Sequence, residues 1–135
     1  MDHEKRSRLI EELSQGREPQ LVPIGRFFDG NDDTGSIGCN LPEHPGIHVF
    51  RDVFAQLASR QDVTAIYAQI AELDPGDDCW PFADTVFVVG SITDDELRDA
   101  LVPLEPDEVG SADEFGVSDI VSGQLNGRTL VAWWD

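Results

Sequence analysis

The stretch that most constrains the fold is Asp62-Val-Thr-Ala-Ile-Tyr-Ala-Gln-Ile-Ala-Glu-Leu-Asp74. In a pleated strand Val63, Ala65, Tyr67 and Ala71 share one face with Gln69, and Thr64, Ile66, Ala68 and Ile70, with nearby Leu73, supply the other. Such a strand can be buried on both sides, so it reads as central. Asp84-Thr-Val-Phe-Val-Val-Gly90 follows a loop rich in Asp, Pro and Gly, and its β-branched and aromatic content makes it the antiparallel neighbour.

Helices must cover this pair. Residues 2–15 place Leu9, Ile10 and Leu13 at helical spacing before Gly16, a short amphipathic helix. Residues 47–59 carry the strongest helical stripe, Ile47, Phe50, Val53, Phe54 and Leu57. Thr93-Asp-Asp-Glu96 before Leu97 and Leu101 is a capping box, and Pro103 stops the helix that it starts. An acidic connector over 105–115 then leads to two strands, 118–125 and 128–134. Asn126-Gly127 between them suits a type I′ hairpin turn. On the last strand Leu130, Ala132 and Trp134 share one face, which puts at least one tryptophan under another layer.

The order of elements predicts a single α+β domain over 1–135, a mainly antiparallel sheet of about four strands with helices packed on one face. Residues 1–18 form a peripheral N-terminal helix in this reading. A chain of 135 residues is long enough to bury a core without disulfides or metals.

Charge narrows the partners. There are 27 Asp and Glu against 9 Lys and Arg, a net charge of -18, which argues against binding a phosphate backbone. Over 72–119 there are fifteen acids and one base, Arg98. Two cysteines, Cys39 and Cys79, are too few for a secreted disulfide framework, and no apolar run is long enough to span a bilayer. The expectation is a cytoplasmic protein with no nucleic-acid or membrane partner and no cofactor. Its oligomeric state is not fixed by the sequence.

The chemistry-bearing residues cluster in 29–48. Asp29, Asn31 and Asp33 alternate like the opening ligands of a calcium loop, but Thr34 replaces the turn glycine and Asn40 stands at the twelfth position. Gly35-Ser-Ile-Gly38 could form a nest of backbone amides, although the neighbouring acids repel phosphate. The competing reading is an ordered surface loop whose Asp and Asn side chains bond local amides, anchored by Phe27 and Phe28. Cys39 with His44 and His48 raises a nucleophile hypothesis, since a catalytic thiol needs an imidazole. The histidines are four apart, yet Pro45-Gly46 between them places the helix start there, with His48 in its exposed first turn.

Phe27-Phe-Asp-Gly-Asn-Asp-Asp33, Gly35-Ser-Ile-Gly-Cys-Asn40, Trp80-Pro-Phe-Ala-Asp-Thr-Val86, Pro106-Asp-Glu-Val109 and terminal Trp133-Trp-Asp135 together resemble a family of small uncharacterised bacterial proteins. The resemblance covers most of the chain and implies no activity. In size and α+β character the chain is also similar to acidic immunity proteins of bacterial toxin systems, without a diagnostic motif.

Two functions follow. One is a non-enzymatic module that presents an acidic face to a basic protein, as an inhibitor or immunity protein would. Asp94, Asp95, Asp99, Glu105, Asp107 and Glu108 would form the face, with exposed-looking Trp80 or Phe82 as apolar anchor. The same aromatics also suit a lid over a core edge. The other function is a hydrolase or metal-dependent enzyme built on the 29–48 loop, whose groups have no spacing that assigns roles.

Overall fold

The long apolar run does become an interior strand, and the chain wraps a five-stranded sheet around it. The computed structural model describes residues 1–16, 20–113, 125 and 127–134. Its elements are α1 (His3–Ser14), β1 (Leu21–Pro23), α2 (Ile24–Phe28), α3 (Ile47–Ala58), β2 (Val63–Glu72), β3 (Phe82–Gly90), α4 (Asp94–Ala100), a 3-10 turn (Val102–Leu104), β4 (Glu108–Ser111) and β5 (Thr129–Trp133). The strand order is β1-β2-β3-β5-β4, and every neighbouring pair is antiparallel.

Register explains the core. Val22 lies opposite Ala68, Ala68 opposite Val86, Val86 opposite Ala132, and Ala132 opposite Val109, so one apolar row crosses all five strands. The helices share the main core with that row: Leu9 of α1, Phe27 and Phe28 of α2, Phe50, Phe54 and Leu57 of α3, and Leu97 of α4 are all buried in one cluster. Phe28 stacks on Phe54, and the ring of Trp134 meets Phe50 and Phe54 while its Nε1 donates to the Leu104 carbonyl at 2.8 Å. Burying aromatic rings of this size is the largest favourable contribution a small domain has.

β2 is less symmetric than its sequence implies. Ile66, Ala68 and Ile70 enter the main core, whereas Ala65, Tyr67 and Gln69 are only half-buried. Ala65 and Tyr67 pack instead against a smaller cluster formed by Phe87, Val89, Leu125 and Val131. The β2–β3 pair closes on Gly90, where a Cβ would come within 2.1 Å of the Asp62 carbonyl oxygen.

Two strands were hidden. Residues 108–111, expected within an acidic connector, form edge strand β4, which contains one aliphatic side chain, Val109, and is defined by pairing with β5 rather than by its own periodicity. β1, for which the sequence predicts no strand, is a three-residue edge strand that contains Pro23, at the place in a sheet where a missing amide is tolerated. The expected strand over 118–125, except Leu125, and Asn126 of the expected turn lie outside the described residues. β5 is paired on both sides, by β3 and β4.

Among the described residues no helix is long and apolar enough to cross a membrane.

Candidate functional site

Two acidic regions are differently constructed. The first is the 29–46 loop, between α2 and α3. Asn31 is 4% exposed, its Oδ1 accepts from the Asp33 amide at 2.9 Å, and its Nδ2 donates to Ser36 Oγ at 2.9 Å. Asp33 Oδ1 accepts from the Gly35 amide and Asp33 Oδ2 from the Trp80 amide, both at 2.9 Å. These are side chain to backbone turns of the kind that Asp and Asn favour, so alternation at 29, 31 and 33 builds the loop. Gly38, at φ 67°, lets the chain pass against Phe50, where a Cβ would lie 2.7 Å from Cζ.

Two other loop acids, Asp29 and Asp32, reach α1 and the N-terminus. Asp29 pairs with Lys5 at 2.6 Å, a contact that raises the Lys5 ammonium above its ordinary value, and Asp32 pairs with the Met1 amino group at 2.6 Å. Arg6, itself buried, donates from Nε to the Cys79 carbonyl at 2.6 Å and pairs through Nη2 with Asp74 at 2.7 Å. The loop, α1 and the β2–β3 connector are therefore clamped together, with Asp29 and Asp33, two of the calcium-ligand candidates, among the clamping groups.

The histidines do not form a catalytic pair. His44 Nε2 bonds the Ile37 carbonyl at 2.8 Å and Nδ1 accepts from the Gly46 amide at 2.9 Å, which requires the Nε2-protonated neutral tautomer and leaves neither ring nitrogen for a thiol or metal. Its ring also stacks on Phe50 at 5.1 Å. His48 is exposed in the first turn of α3. Cys39 is exposed and Cys79 half-buried, and both are free thiols. Among the described residues no group of three His, Cys, Asp or Glu converges to hold a metal ion.

The second region is the face made by α4, the 3-10 turn and β4. The expected capping box is present: Thr93 Oγ1 accepts from the Glu96 amide, and Glu96 Oε1 accepts from the Thr93 amide, both at 3.2 Å. Its bonds to Thr93 and the Arg60 guanidinium hold the Glu96 carboxyl below its ordinary value. Arg60, which also grips Asp62 at 2.8 Å, lowers that carboxyl too. Asp94 is half-buried and pairs with Arg128 at 3.4 Å.

Beyond these, Asp95, Asp99, Glu105, Asp107 and Glu108 are exposed. Asp95 pairs with Arg98, and Asp107 accepts from Asn40 Nδ2 at 3.2 Å, which ties the loop's end to this face. A groove of about 410 Å³ opens here, lined by Arg98, Val102, Glu105, Pro106, Asp107, Glu108 and Val109. Val102 is 64% exposed, the exposed large hydrophobic residue of the described chain. Glu105, which ends the 3-10 turn, has φ 48°, the non-glycine residue in the left-handed region among those described.

The apolar anchors expected from sequence stand elsewhere. Trp80 is 1% exposed and belongs to the main core, so the lid reading describes it and its ring is not available to a partner. The Asp, Pro and Gly connector looks solvated in the sequence, whereas Asp33 draws the Trp80 backbone inward. Phe82 is half-buried at the start of β3, opposite Glu72, and does not line the groove. Sequence reading missed Val102 and Pro106.

A family model described as "Uncharacterized protein YfbO family" matches residues 4–125. The chain is similar to "Uncharacterized protein YfbO" of Escherichia coli (strain K12), 26% identical over 121 residues that cover 85% of this chain and 82% of the relative. No solved structure matches.

Proposed function

We propose that the chain, which belongs to the YfbO family, is a non-enzymatic module that binds a basic protein through the face formed by α4, the 3-10 turn and β4. The observation that carries this reading is the set of exposed carboxylates, Asp95, Asp99, Glu105, Asp107 and Glu108, of which the last three line a groove with an exposed aliphatic residue. A partner rich in Lys and Arg would be steered to this face, and an aliphatic contact would hold it. An inhibitor or immunity protein for a basic enzyme or toxin would have this character. The net charge of -18 disfavours nucleic acid as the partner. The two free thiols fit a reducing compartment, and a cytoplasmic setting is part of the proposal.

The enzyme reading has less support, because His44, Asn31 and Asp33 are engaged in loop hydrogen bonds. The test uses a partner recovered from the source cell. Its association rate should fall steeply with salt, since the Debye length shrinks from about 10 Å at 0.1 M to about 3 Å at 1 M. Neutralising Asp95, Asp99, Glu105 and Glu108 together should flatten that dependence. Kinetics indifferent both to salt and to these substitutions would overturn the proposal.

A further inference from the structure

The groove beside the 3-10 turn is specific enough to define what it takes. We propose that it seats a short basic segment of the partner protein in which one aliphatic side chain, flanked by lysine or arginine, rests on Val102 and Pro106. This inference rests on the acidic-face reading above. Leu101 and Leu104 turn into the core on either side of Val102, so Val102 is left projecting to solvent at 64% exposure. Glu105 and Glu108 at the rim supply the negative charge that a cationic flank needs.

Other occupants fit less well. A second copy of this chain would bring another -18 charge to an acidic face, and Lys5, Arg8 and Arg26 of its N-terminal region are already paired with Asp29, Glu4 and Glu12. Addition of a strand to the edge of β4 is opposed by Arg98, whose Nη2 donates to the Val109 carbonyl at 2.7 Å and so takes an acceptor that an incoming strand would use. Side-chain docking is what remains open.

Two synthetic peptides test this, Lys-Arg-Leu-Arg-Lys and Lys-Arg-Ser-Arg-Lys, titrated into the full chain at low salt and followed by calorimetry and amide chemical shifts. The leucine peptide should bind about tenfold more tightly, the gain expected from burying one such side chain. Its shifts should centre on Val102, Glu105 and Val109. Val102→Ser should remove the difference between the peptides, and Glu105→Gln with Glu108→Gln should weaken both. Equal binding by both peptides, with shifts scattered over the exposed acids and no response to Val102→Ser, would overturn the groove and leave the acidic face standing. Binding by neither peptide would overturn both. An unchanged melting temperature of Val102→Ser separates loss of the contact from loss of the fold.

Discussion

The 29–46 loop and the face of α4 and β4 are both acidic, but their carboxylates have different tasks. In the loop Asp29, Asp32 and Asp33 each have a partner: an ammonium, the N-terminal amine, or two backbone amides. On the face the carboxylates of Asp99, Glu105 and Glu108 have no hydrogen bond or ion pair among the described residues, and those of Glu105 and Glu108 belong to residues that line the groove. The lesson is that density of acid does not identify a site. An acid that bonds an amide is part of the fold, whereas an acid left in solvent beside an exposed aliphatic side chain is free to meet something else.

The largest expected effect lies in the loop. Gly38→Ala would force a left-handed residue with its Cβ into the Phe50 ring and should cost about 2–4 kcal/mol in urea unfolding. A loss below about 0.5 kcal/mol would mean that the loop is not a rigid part of the core.

On the face, stability should come from the cap and not from the free acids. Thr93→Ala removes the side chain that accepts from the Glu96 amide, and a loss of about 1 kcal/mol is expected from thermal or chemical denaturation. Glu105→Gly should go the other way, adding up to about 1 kcal/mol, because glycine relieves the left-handed backbone there. The same variant should bind a basic partner less tightly. Gain of stability with loss of binding would mark Glu105 as functional rather than structural.

Smaller still is a pH effect at the paired acids. Asp62 and Glu96 have carboxyls depressed in the folded state, so the unfolded chain binds more protons through their titration range. Their stabilisation is full above the ordinary carboxylate range and is lost as pH falls through the depressed values. Arg60→Gln should therefore flatten the acid limb of a stability profile below the ordinary carboxylate range, by a small amount for exposed pairs. An unchanged acid limb would count against these pairs.

Much of this was legible in the sequence where the signal is local. The stripe Ile47, Phe50, Phe54 and Leu57 gave α3 to within a residue, and Thr93 with Glu96 gave the start of α4, because helical periodicity and capping are read over a few neighbouring positions. β4 was not legible, since Glu108, Gly110 and Ser111 become strand residues only by pairing with 130–133 of β5. The position of Val102 was available but unread: Leu97, Leu101 and Leu104 at spacings of four and three continue the inward stripe past Ala100, which puts Val102 outside it. The lid reading of Trp80 was available in the sequence but what fixes it was not, because the Asp33 carboxylate that holds its backbone is 47 residues away in the chain.

One chemical change made at two places tests the distinction most directly. Asp33→Asn and Asp99→Asn each remove one charge and alter almost no volume. In the loop the new amide nitrogen would face a backbone amide donor where an oxygen now accepts, from Gly35 or Trp80, and urea denaturation should show a loss of about 1–3 kcal/mol. At the exposed position the change should stay within about 0.5 kcal/mol. Equal losses at the two sites, or a larger loss for Asp99→Asn, would contradict the division between acids that build the fold and acids left free to bind.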